Sequence, residues 1–114
     1  MRINFVLIVV AVFMSTSLQA GLVEGFHVVD VRVDRSGKGF VSFDQNLRSP
    51  ANCINHHPNT LSFDVKTDAG KGILSLALSA QAQKARIWAW GTNTCEEWPN
   101  TVESWNHGWI HRNE

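Results

Sequence analysis

The sequence predicts a mainly β domain of five short strands, with one helix between the third and the fourth and one disulfide. Three observations carry this. Several short runs alternate apolar and polar residues with period two. One central run has helical period instead. A cysteine stands on either side of that central unit, Cys53 before it and Cys95 after it.

The chain has 114 residues. Arg2, the apolar run 3–14 and the small polar run 15–20 follow the three-part plan of a secretory signal peptide. Cleavage is expected after Ala20, with Ser17 as the alternative. The apolar run is shorter than the about 20 residues that span a bilayer, so no membrane span is expected after cleavage. Residues 21–114 are then a single domain, periplasmic or secreted.

Residues 26–34 alternate, with Val29, Val31 and Val33 on one face and Asp30, Arg32 and Asp34 on a wet one. The glycine-rich stretch 35–39 is a turn, and 40–44 resumes the alternation with Val41 and Phe43 inward. Together these runs read as a β-hairpin. Residues 46–59 form a loop with Pro50, Cys53, His56, His57 and Pro58. A third strand spans 60–66, with Leu61, Phe63 and Val65 opposite Ser62, Asp64 and Lys66.

The helix is expected over 68–84, capped by Thr67 or Asp68. Ile73, Leu76, Ala77 and Ala80 share one face, and Leu74 and Leu78 widen it. Gly70 and Gly72 weaken the first turn and are expected to delay the regular helix. The small residues towards Ala80 and Ala82 suit close packing on a sheet. The fourth strand, 85–91, puts Arg86, Trp88 and Trp90 on one face and Ile87 and Ala89 on the other. After a loop over 92–100, residues 101–105 and 109–111 form a last strand or bent hairpin, with a bulge or turn at 106–108.

This order matches the OB-fold, a five-stranded Greek-key barrel. An ordinary α+β sheet with one helix is the alternative. In an exported chain the two cysteines are expected to pair. Closing a loop of that length is worth about 4 kcal/mol in the chain-entropy model. A zinc site shared with histidines is the rival, although the cysteines lack the paired spacing of zinc ligands.

Ten basic residues balance ten acidic ones, with no basic patch and no charge run. A nucleic-acid partner is therefore not expected. The chain contains no hydrolase, metalloprotease or phosphate-loop motif, and neither catalysis nor a cofactor is expected. The adjacent pair Glu96 and Glu97 reads as a solvated loop. His56, His57, His107 and His111 lack a trusted ligand spacing, so no metal is assigned.

Tryptophan is the compositional anomaly. All five lie at or beyond position 88, and the chain has no tyrosine. At least one of Trp88 and Trp90 is expected to face the core. Trp98, before Pro99, is expected to be the most exposed. Trp105 and Trp109 are expected to anchor the last strand. Exposed indoles suit stacking on a sugar ring or on a partner's apolar side chain. The candidate ligand-binding set is Arg86, Trp88, Trp90, Trp98, Glu96 and Asn100, with the polar members fixing orientation. The partner is expected to be a glycan or cell surface. The alternative is a periplasmic protein-interaction or inhibitor module that uses the same patch.

The run Cys53-Ile54, the helix ending Gln81-Ala-Gln-Lys84, the strand start Ala85-Arg-Ile-Trp88 and the second cysteine carry a resemblance. Over residues 26–111 the chain resembles the B subunits of the subtilase and pertussis-like AB5 toxins, and small exported bacterial proteins of that fold. The resemblance implies an OB-fold with a Cys53–Cys95 bridge, and a homo-oligomeric ring of five that binds cell-surface glycans. The toxin subunits use a serine near the mature start for the sugar. In this chain the corresponding stretch, 21–25, offers only Glu24 as a polar side chain.

Overall fold

The computed structural model describes residues 20–111. All of the expected leader except Ala20 lies outside the described residues. The elements are β1 (Leu22–Val33), β2 (Lys38–Phe43), β3 (Thr60–Asp64), α1 (Asp68–Gln83), β4 (Arg86–Gly91) and β5 (Glu103–Ile110). The predicted order, with one helix between the third and fourth strands, is the observed one.

The five strands form one sheet in the order β1-β2-β3-β5-β4, and β4 pairs back onto β1, so the sheet closes on itself. All pairings are antiparallel except β3 with β5, which is parallel and brief, through Leu61–Glu103 and Ser62–Ser104. Closure depends on β1. Its first half pairs with β4 and its second half with β2, with register shifts between Glu24 and Phe26 and between Val28 and Asp30. Such bulges bend a strand and raise its twist, which lets one strand serve two neighbours at an angle. Gly25 lies within the first shift at φ +70°, where an L side chain would be strained.

The bulges also overturn part of the predicted first strand. It begins at Leu22 rather than Phe26. Val29 falls inside the second shift and is exposed, as is Val33, so Val31 alone of that trio packs against the core. The inward positions that alternation assigned to Val41, Phe43, Leu61 and Phe63 are all buried. Val23, Phe26, Ile87, Ala89 and Trp105 complete the interior with Ala77 and Ala80 of the helix. In β3 the other face is buried too, because Thr60 and Ser62 are covered.

The helix starts at Asp68, not later. The Thr67 side chain accepts a hydrogen bond from the Gly70 N–H at 2.9 Å and donates to the Asp64 carbonyl at 2.8 Å. Gly70 is needed there, since a Cβ would come within 1.7 Å of the Asp64 carbonyl oxygen. The glycine thus costs helix propensity but allows the first turn to sit directly on the end of β3. Leu78 is exposed, so the apolar stripe is narrower than expected. Cys53 and Cys95 form the disulfide and join the loop before β3 to the loop after β4. No helix among the described residues is long and apolar enough to cross a membrane.

Candidate binding surface

The interior decides where the β4 tryptophans go. Ile87 and Ala89 are fully buried, and Trp105 fills the adjoining volume with its ring 6.5 Å from that of Phe43. Strand alternation then turns Arg86, Trp88 and Trp90 outward. The expectation that Trp88 or Trp90 faces the core is therefore corrected. The smaller side chains take the inside because the closed interior is already occupied.

Outside, Trp88 is opposite Trp109 and Trp90 opposite His107 across the β4–β5 ladder. On the other side Trp88 is opposite Glu24, and Trp90 opposite Leu22, across the β1–β4 ladder. The rings touch in sequence. Trp90 meets His107 edge to face at 5.5 Å, and His107 stacks on Trp109 at 6.4 Å with 18° between the planes. Trp88 meets His111 at 6.1 Å. Trp88 and Trp90 are half-buried, whereas Trp109 is 48% exposed. This corrects its expected role as an anchor: Trp105 anchors the strand and Trp109 faces water. The Trp88 Nε1 is buried without an acceptor. An ion pair of 2.7 Å between Arg48 and Glu24 borders the surface.

Trp98 is elsewhere. Its Nε1 donates to the Gly39 carbonyl at 3.4 Å, and its ring meets Phe40 at 6.1 Å. The Arg32 guanidinium lies 5.6 Å from the Trp98 ring centre and 5.3 Å from that of Phe40. Asp34 holds that guanidinium through two hydrogen bonds. Trp98 is half-buried, and Trp109 takes the place expected for it as the most exposed tryptophan. A cation placed over the ring, and an N–H committed to β2, explain the difference.

The predicted set therefore divides. Arg86, Trp88 and Trp90 share one outer face, joined by His107, Trp109 and His111. Glu96, Trp98 and Asn100 belong to the loop between β4 and β5, where Trp98 is tied to β1 and β2. Glu96 and Asn100 are exposed. Glu97 is not the solvated carboxylate expected: its Oε2 accepts from the Ser62 hydroxyl at 3.0 Å and from the Ser104 hydroxyl at 2.5 Å.

One buried carboxylate was not singled out from the sequence. Glu103 is fully buried. Its Oε1 accepts from the Ala51 N–H at 2.8 Å. Its Oε2 accepts from the N–H groups of Gly21 at 2.8 Å and Asn93 at 3.2 Å. Three separate segments thus converge on one side chain. The only hint in the sequence is an acid inside a strand pattern, and strands expose such residues more often than they bury them.

Among the described residues no group of three or more His, Cys, Asp or Glu side chains is placed to hold a metal ion. Comparison with protein-family models, with curated proteins and with solved structures finds no match.

Proposed function

We propose that this chain is an exported, non-catalytic binding module that takes a glycan on the outer aromatic face of β4 and β5. The observation that carries the reading is the grouping of Trp88, Trp90, His107 and Trp109 on one hydrogen-bonded face, with Trp109 about half exposed. An indole face offers a flat, polarisable surface for the C–H side of a sugar ring. Paired strands hold the rings in place before the ligand arrives, which lowers the ordering cost of binding. Arg86, His111 and Glu24 lie at the margins as donors and acceptors for hydroxyl groups. The strand order with its helix between β3 and β4 supports an OB-type barrel. The likeness to AB5 toxin B subunits fits the same reading, with a ring of five supplying avidity to weak single sites.

The test is a glycan-array screen of the mature protein, followed by titration of any hit. Trp109→Ala should weaken binding by about 1–3 kcal/mol, as for other aromatic stacking anchors. Trp98→Ala should leave affinity unchanged. Equal losses in both variants, or capture of a protein with no sugar dependence, would overturn the glycan reading.

A further inference from the structure

Glu103 is a fully buried carboxylate whose recorded partners are three neutral backbone N–H groups. Among the described residues no Lys, Arg or His is paired with it. A buried carboxylate is costly unless a positive charge or a full set of donors compensates it. One of its three donors is Gly21, the residue that directly follows the expected cleavage point.

We propose that Gly21 is the first residue of the mature chain, and that its α-ammonium forms an ion pair with Glu103 inside the fold. Hydrolysis by a signal peptidase adds water across the Ala20–Gly21 amide. The carbonyl carbon takes the oxygen and leaves with the leader as the Ala20 carboxylate. The nitrogen takes the protons and remains on Gly21 as an ammonium. In the structure that nitrogen is already 2.8 Å from Glu103 Oε2. Processing therefore replaces a neutral amide donor to the carboxylate with a charged one, making an ion pair without moving the chain.

Two further observations fit a terminus built for this position. A Cβ on residue 21 would lie 2.6 Å from Glu103 Oε1, so glycine is the residue that lets the nitrogen approach. The Gly21 carbonyl also accepts from the Gly91 N–H at 2.8 Å, which fixes the new terminus against the end of β4. Ala20 is half-buried beside it.

The ion pair depends on removal of the leader, not on the aromatic face, and no ligand is needed to detect it. The full-length chain is expressed in an exporting bacterial host, and intact mass identifies the first residue of the mature form. The mature protein is then treated with an amine-acetylating active ester, folded and in urea, and the Gly21 amine is followed by peptide mass spectrometry. We expect a mature chain beginning at Gly21, and an α-amine that acetylates about tenfold or more slowly when folded, in line with a charge-assisted bond to a buried acceptor. Glu103→Gln should remove most of that protection and lower the urea midpoint. If that variant does not accumulate, the folded-to-unfolded ratio in the native sequence decides. A mature chain starting at another residue, or equal labelling rates in the two states, would overturn the proposal.

Discussion

Two aromatic clusters lie on the outside of this sheet, and they differ in what covers them. On β4 and β5, Trp90, His107 and Trp109 meet in sequence, Trp88 meets His111, and the outermost indole is open to water. On β1 and β2, Trp98 rests on Phe40 under the Arg32 guanidinium, with its N–H committed to a backbone carbonyl. The first cluster has unused ring faces. The second is a closed packing unit that pins a long loop. Aromatic content alone therefore does not mark a binding face; the neighbours supplied by other strands do.

The sharpest contrast is between two indoles on the same strand. Trp105 is a core residue, so Trp105→Ala should destabilise the fold by about 3–5 kcal/mol in urea denaturation. Trp109→Ala should change stability by no more than about 0.5 kcal/mol. Similar stability losses for both would erase the distinction between core and platform.

Next in size is the disulfide, because Cys95 belongs to the same loop as Trp98. The double variant Cys53→Ser with Cys95→Ser should cost about 2–4 kcal/mol. Iodide should then quench Trp98 more strongly while Trp109 quenching stays constant. A uniform rise across all the tryptophans would mean that the two clusters open together.

A smaller loss than that of the disulfide is expected at Arg32. Its side chain is more than half exposed, so Arg32→Ala should cost only about 0.5–1 kcal/mol. Its use is diagnostic, since it uncovers the Trp98 ring without touching the other cluster. If quenching of Trp98 does not rise in this variant, the guanidinium is not what shields the indole.

The sequence made some of this legible. Leu61 and Phe63 alternate with Ser62 and Asp64, and Val41 and Phe43 with Ser42 and Asp44, so period two assigned these four to the inside. The helix was readable because its signal is local, with the cap narrowed to Thr67 or Asp68; its early start was not, because the contact of Gly70 with β3 lies outside the local pattern. The β4 faces were not, because Ile87 and Ala89 form a set as apolar as Trp88 and Trp90. Only the finite volume inside the ring decides between the two sets. Val29 was misplaced because a bulge breaks the alternation that had assigned it. Trp98 and Glu103 were misread or missed because their partners come from other strands and from distant loops. Gly21, Ala51 and Asn93 have nothing in their own sequence surroundings that points to position 103.

Closure of the sheet has a consequence for recognition. Each strand is hydrogen-bonded to two others, but β1 meets β4 through its first half and β2 through its second, and β5 meets β3 only at Glu103 and Ser104, so the free edges among the described residues are half-strands. Strand addition, a common way for extended peptides to dock, is thereby limited to short segments, and the side chains of the outer faces offer the larger continuous surface. The shortest pairing in the sheet is the parallel seam between Leu61–Ser62 and Glu103–Ser104. Transient separation there would uncover two strand edges at once, which makes that seam the site at which to look for the first step of self-association.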